Sequence, residues 1–245
     1  DLLRDQNVYL EGEVKRRMRE LAAVQDATIM AMASLAETRD NETGNHIRRT
    51  QHYVRALALE VRSHPRFADE LRDPMHIELL YKSAPLHDIG KVGIPDHILL
   101  KPERLTPEEF EVMKTHTTLG RDAILAAERL IETPDSFLRL AREIAYSHQE
   151  KWDGSGYPQG IAGDAIPLSA RLMAVADVYD ALISRRVYKP AFPHSEAVRI
   201  IREGRGSHFD PDLTDAFLRI ADIFRGIAER YADHPQAGVE EAART

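Results

Sequence analysis

The sequence predicts an all-α fold, and three observations predict it: apolar residues recur at helical spacing along most of the chain, strand signals are scarce, and two Gly/Pro-containing stretches interrupt the pattern. The 245 residues are 43% hydrophobic and 30% charged, enough to bury a full core in one domain or in one domain with an appendage. With 33 Lys and Arg against 40 Asp and Glu, the net charge of -7 gives no support to a duplex-DNA or membrane-surface binder. Any phosphate-binding patch must be local. Cysteine is absent, which excludes disulfides and thiolate metal sites and leaves 11 His and the carboxylates as candidate ligands. There is no signal peptide and no apolar run long enough to span a bilayer, so the expected compartment is the cytoplasm.

The first element, from Leu2 to about Leu35, has no Pro and a single Gly, while Val14, Met18, Leu21, Thr28, Met32 and Leu35 recur at spacings of three, four and seven. This predicts a long amphipathic helix of roughly 50 Å whose seam is weakened by Gln25 and Thr28. It reads either as a core helix with an overhanging start or as a signalling and dimerisation helix, and the second reading is preferred. The opening of the chain inside a helical pattern, without Met, suggests a fragment. Further helices are expected over Ile47–Arg62, Met75–Asp88, Pro107–His116 (opened by the cap signal Thr106-Pro107), Leu119–Ile131, Ser136–Gln149, Ser169–Ser184, Ser195–Glu203 and Pro211–Tyr231. The stretches 89–106 and 151–168 carry loop chemistry, each after a His-containing helix. The tail 232–245 is expected to fray.

Several polar residues sit where burial is expected. His87 and Asp88 end the apolar stretch Leu79–Leu86, where a charged pair is costly unless something compensates it, and a divalent cation compensates both. Asp177 and Asp180 pose the same problem inside ARLMAVADVYDAL. Glu42 and His46 are four apart, one helical face; His116 and His148 lie on two further helices. A single buried His is more often a hydrogen-bonded core residue, and a mid-helix Asp a cap or ion-pair partner. Joint occurrence on otherwise apolar helices tips the balance towards N/O ligation suited to Fe, Mn, Zn, Ni or Co, with a carboxylate such as Asp88 able to bridge two ions.

The stretch His87 to Asp96 (HDIGKVGIPD), followed by Trp152 to Pro158 (WDGSGYP), resembles the two signature motifs of the HD-GYP family, a branch of the HD phosphohydrolases. Supporting matches are ETGNHIRR at 42–49, VADVYDAL at 175–182, SRRVYK at 184–189 and GSHFDP at 206–211, in order over nearly the whole chain. The resemblance implies an HD-type helical bundle over residues 36–231 behind a connector helix over 1–35. The implied activity is hydrolysis of cyclic di-GMP to linear pGpG, and in some members on to GMP, by a hydroxide bridging the metals.

Carried over by position, His46, His87, Asp88 and Asp177 would hold one metal, and Asp88, His116 and His148 a second. Some members hold a third, helped by a Glu at the place of Glu42 and by a second His where this chain has Gln149. An amide oxygen is a poor ligand, so two divalent transition-metal ions are expected. Lys91 is expected to bind a phosphate oxygen or help the leaving alkoxide, with Asp88 as its catalytic companion. Tyr157, Asp180, Arg186 and Lys189 are expected around the substrate, although Arg185 could be the residue that points inward. Gly206–Pro211 with His208 reads as an ordered turn. The N-terminal helix is similar to connectors that follow receiver domains in response regulators, which implies an upstream receiver and a homodimer through the helix seam. A phosphohydrolase for pGpG or another cyclic dinucleotide, or a non-catalytic nucleotide-binding module, are the competing readings.

Overall fold

The structure, a computed structural model, describes residues 2–39, 45–130, 137–184 and 191–232. Its first helix, α1 (Leu2–Glu37), is longer than its packing requires. Along the exposed first half, Glu13–Arg16 and Arg16–Glu20 pairs at helical spacing support it. Only the last turns dock: Ile29, Ala33 and Ala36 are buried, the first two in a cluster with Ile47, Leu86, Ile124, Leu138, Ala141 and Ala145. The seam read from the sequence lies elsewhere, with Val14, Met18, Leu21, Met32 and Leu35 all exposed.

The bundle proper is α2 (Asn45–Val61), α3 (Ala68–Leu71), α4 (Pro74–Ser83), α5 (Asp96–Leu99), α6 (Pro107–Lys114), α7 (His116–Glu128), α8 (Phe137–Ser147), α9 (Leu168–Ile183), α10 (His194–Glu203), α11 (Pro211–Arg219) and α12 (Ala221–Arg230). Among the described residues there is no strand, only an isolated bridge between Arg205 and Phe209. Most predicted helices are present with shifted ends. Two differ in kind. The stretch expected as one helix over Met75–Asp88 leaves α-geometry at Ser83 and continues as a 3₁₀ turn, Ala84–Leu86, because Pro85 cannot donate to the helical ladder. The stretch Pro211–Tyr231 breaks at Ile220, and Phe217 and Phe224 from its two halves meet edge to face at 4.9 Å. The cap signal at Thr106 is realised as a reciprocal capping box with Glu109.

At the centre, α2 and α9 bury Tyr53, Val54 and Leu57 against Leu172, Val175, Ala176 and Tyr179. Tyr53 stacks on Phe224 at 4.5 Å and meets Tyr179 edge-on at 5.3 Å. Aromatic burial of this kind contributes beyond its area. The same two helices carry His46 and Arg49 near the start of α2 and Asp177 and Asp180 on either side of Tyr179 in α9, so a rigid hydrophobic contact fixes the spacing of the four.

Two glycines permit close approaches that the site depends on. A Cβ at Gly90 would fall onto the His116 carbonyl oxygen, so only glycine lets the 3₁₀ segment Ile89–Gly93 press against the start of α7. A Cβ at Gly156 would strike the backbone of Glu150 and Lys151, which holds the GYP loop folded back on the end of α8.

Candidate metal centre

Four imidazoles converge, and each is turned the same way. Nδ1 of His87 donates to Ala84 O (3.0 Å), that of His116 to Met113 O (2.8 Å) and that of His148 to Ile144 O (3.0 Å). Nδ1 of His46 donates instead to the Asp180 carboxylate (2.9 Å). A donor role for Nδ1 fixes the tautomer and leaves Nε2 with a lone pair, the arrangement in which histidine ligates metal.

The Nε2 atoms and two carboxylates fall into two groups. His46, His87 and Asp177 form one, and Asp88, His116 and His148 the other, each with its ligand atoms within 4.8 Å of one another. In the first, His46 Nε2 lies 3.3 Å from His87 Nε2 and 3.8 Å from Asp177 Oδ1. Asp88 stands between the groups. Its Oδ2 is 3.4 Å from His87 Nε2, while its Oδ1 is 3.3 Å from His116 Nε2 and 3.5 Å from His148 Nε2. Lys91 Nζ approaches Oδ2 at 2.7 Å.

Whether these residues fit a metal is answered by their bonding. Asp88 Oδ1, His116 Nε2 and His148 Nε2 are buried and have no hydrogen-bond partner, a costly state for three converging polar atoms. A divalent cation satisfies all three at once, and the imidazole and carboxylate donors suit a transition metal. Burial pushes the His116 imidazole down to about 4, so its ring is neutral and its lone pair available. Burial also opposes charge on Asp88, but Lys91, His87 and His148 outweigh it and hold the carboxyl well below the usual carboxylate range. At His87 burial lowers the pKa, and the Asp88 carboxylate outweighs it and raises the group.

Asp180 does not line the cleft. It is fully buried behind His46, where Arg49 grips it through Nε to Oδ1 (2.7 Å) and Nη2 to Oδ2 (2.9 Å). Burial would raise its pKa, but His46 and Arg49 outweigh that and bring it to about 2. Arg49 in turn donates to Ser184 Oγ (3.1 Å) and to Tyr231 O (3.0 Å). The expectation of a substrate contact at Asp180 is therefore corrected: it orients a candidate ligand. Arg49, one turn after His46, was not singled out in the sequence, although its i+3 spacing from His46 was a readable signal.

Tyr157 lies beside the second group, its ring edge-on to His116 at 6.4 Å. Burial and the Asp88 and Asp177 carboxylates push its phenol up. The loop that carries it is held by Glu150, another residue the sequence reading missed: its buried carboxylate accepts from Gln159 N (2.7 Å) and Gly160 N (3.1 Å). The GSHFDP segment holds the loop from the other side, with Trp152 N donating to His208 O (3.1 Å) and Asp153 N to Ser207 O (2.9 Å). Asp210 of that segment caps α11 and pairs with Arg66 and Arg171. Gln149 accepts the Tyr157 N–H on its backbone carbonyl (3.2 Å). A small cavity beside His87, Asp88 and Lys91 is also lined by Glu37. Glu42, Arg185, Arg186, Lys189 and the tail beyond Ala232 lie outside the described residues.

A helical domain with two His/Asp groups sharing one carboxylate defines a class of metal-binding proteins. A family model described as HD domain matches residues 30–213. A probable cyclic di-GMP phosphodiesterase of Vibrio cholerae serotype O1 is 57% identical over 239 residues, 98% of this chain and 54% of that protein. The 3'3'-cGAMP-specific phosphodiesterase 2 of the same organism is 34% identical over 227 residues, 93% of this chain and 41% of that protein. Among solved structures the chain is similar to Bd1817, a HDG"Y"P protein from Bdellovibrio bacteriovorus, with a TM-score of 0.53 and 20% identity over 82% of this chain and 61% of that one. At that identity the likeness concerns the fold. This chain belongs to the HD domain family, in its HD-GYP branch. It spans about half the length of the curated relatives it matches.

Proposed function

We propose that the chain hydrolyses cyclic di-GMP to pGpG, and on to GMP where the linear product is retained. The observation that carries the reading is Asp88, whose two oxygens address two separate His/Asp groups while His116 and His148 present unpartnered buried Nε2 atoms. The relatives' names support the substrate. In this reading His46, His87, Asp88 and Asp177 hold one divalent ion and Asp88, His116 and His148 another. Such ions supply Lewis acidity and lower the pKa of water.

The chain's own residues do the rest. The three backbone carbonyls behind His87, His116 and His148, and Asp180 behind His46, keep every Nε2 aimed inward. Lys91 Nζ, beside Asp88 on the 3₁₀ segment, carries positive charge and donors to a phosphoryl oxygen and to the leaving alkoxide. Tyr157 walls the cleft next to His116. Arg186 and Lys189 are assigned to the substrate phosphates by resemblance.

The test is direct: metal-loaded protein is mixed with cyclic di-GMP and the products are resolved by chromatography. Absence of pGpG and GMP with Mn, Fe and Ni each present rejects the reading. The relative named for 3'3'-cGAMP supports a second reading, another cyclic dinucleotide, and the same assay with that compound and with pGpG ranks the three by kcat/KM. Elemental analysis of anaerobically prepared protein counts and identifies the ions; two per chain is the expectation, and three would reverse the inference from Gln149.

The same reading places the domain, over residues 36–231, in the cytoplasm behind an upstream receiver and the connector helix. No helix among the described residues is long and apolar enough to cross a membrane. A homodimer through α1 is supported by the exposed row Val14, Met18, Leu21, Met32 and Leu35. Sedimentation as a strict monomer at high concentration would reject it.

A further inference from the structure

One wall of the cleft is built from residues that neither ligate nor support a ligand. Phe110 and Lys114 are one turn apart on α6, a helix with no buried residue, and Phe110 is 45% exposed. A lone exposed Phe is ordinary. This one ends a row of rings leading out of the second group: His116 meets Tyr157 edge-on at 6.4 Å, and Tyr157 meets Phe110 edge-on at 6.0 Å. Over the outer two rings lies the Lys114 ammonium, 5.5 Å from the centre of Phe110 and 5.7 Å from that of Tyr157. The row thus starts at a candidate ligand, where a phosphodiester would be cut, and finishes two ring contacts away on an open aromatic surface beside a cation. That is the layout of a nucleotide, phosphate at one end and base at the other.

We propose that Phe110 and Lys114 form a nucleobase subsite, Phe110 stacking one base of the dinucleotide and Lys114 selecting guanine. The proposal rests on the cyclic-dinucleotide reading and deepens it. Stacking is base-tolerant, since every base has a π-face, so selection has to come from the edge. Guanine presents two acceptors, O6 and N7, on one edge, whereas adenine places an amino donor where O6 would be. An ammonium only donates, so Lys114 satisfies guanine and meets a competing donor on adenine. Its present partner, Glu111, is 70% exposed, and an ion pair so open to water holds the ammonium weakly.

The experiment measures kcat and KM for cyclic di-GMP and cyclic di-AMP on metal-loaded wild type, Phe110→Ala, Phe110→Trp and Lys114→Gln, with metal content per chain determined for each. Phe110→Ala is expected to raise the KM for cyclic di-GMP by about ten-fold with kcat changed less, and Phe110→Trp to restore it. Lys114→Gln is expected to lower the ratio of kcat/KM for cyclic di-GMP over cyclic di-AMP by about ten-fold. All variants should keep the wild-type metal content. An unchanged KM in Phe110→Ala, or an unchanged ratio in Lys114→Gln, overturns the proposal alone. Loss of metal in either variant reassigns the pair to propping His116 and overturns it as well. A wild type that cuts no cyclic dinucleotide removes the reading beneath it.

Discussion

The two halves of the candidate metal centre differ at one histidine: His87, like His116 and His148, is aimed by a backbone carbonyl, whereas His46 is not. His116 and His148 are aimed by carbonyls of their own chain neighbourhood, Met113 and Ile144, so their orientation follows from the local backbone. His46 is aimed by a side chain from another helix, Asp180, which is itself held by Arg49, and Arg49 reaches the carbonyl of Tyr231 at the end of α12. Backbone aiming is insensitive to substitution. Side-chain aiming at His46 makes the first half depend on a buried charge pair and on the far end of α12. Asp88 belongs to both halves, so it alone ties their fates together.

The largest effect should come from removing that tie. Asp88→Ala is expected to lose both ions and to lower turnover by on the order of 10³-fold or more. Retention of two metals per chain would show that the halves are independent and that the assignment of Asp88 is wrong. Asp180→Asn separates the halves instead. It keeps the shape of the side chain but removes the charge facing His46 and Arg49, so metal affinity in the first half should fall about 10–100-fold while the second half is kept. A chelator titration should then strip one ion well before the other. Leaving Arg49 buried without its carboxylate should also cost about 3 kcal/mol of stability, read by denaturant unfolding. Co-release of both ions would erase the distinction between the halves.

Acid should also separate the regions. His208, which helps hold the loop over the second half, is brought down to about 4 by burial and stacks on Phe209 at 4.2 Å. Its unfolded form takes a proton below about 6.5. The folded form does so only near 4, so the unfolded state binds more protons across that window and stability falls as pH drops through it. The expected loss from His208 is on the order of 2 kcal/mol; His116, also brought down to about 4 by burial, adds to the slope of the metal-free protein, so His208→Leu should reduce that slope between pH 6.5 and 4 without abolishing it. Asp180 behaves in a different window. Its folded value of about 2 lies below the ordinary carboxylate value, so its contribution is full above about 4 and is lost as pH falls towards 2. A metal-free wild type whose stability is flat from pH 6.5 to 4 would contradict the His208 account.

The same contrast explains what could be read from the sequence. The helical class and the cap at Thr106 were legible because each has a local signal, period or cap residue, and the six candidate ligands, which the structure brings together, were legible as polar residues on apolar helices. Asp180 had such a signal and was still misplaced, since a buried acid reads alike whether it faces substrate or supports a histidine. Only the 2.9 Å contact to His46 Nδ1 decides. Glu150 carried no signal, because its partners are backbone amides of the loop that follows. Which face of α1 docks on the bundle carried no local signal either. The sequence shows an apolar period, but Ile29 and Ala33 dock while Met32 and Leu35 face outward, and that choice is made by Ile47, Leu86 and Ala141.

Glu150 provides the finest test of whether the second half's cover is separable from its ligands. Its carboxylate accepts two loop amides beside His148, two residues along the chain, yet it belongs to neither His/Asp group. Burial raises its pKa, and the amides of Gln159, Gly160 and Ile161 offset part of that rise. Glu150→Gln keeps one acceptor oxygen and replaces the other with a donor facing an amide N–H. About 1–2 kcal/mol of stability should be lost, and the loop holding Tyr157 should exchange its amide hydrogens faster. KM should rise a few-fold while both ions stay bound, because His148 is aimed by Ile144 O and not by the loop. If one ion is lost with the loop, the backbone does not secure the second half unaided, and the two halves differ less than their hydrogen bonds indicate.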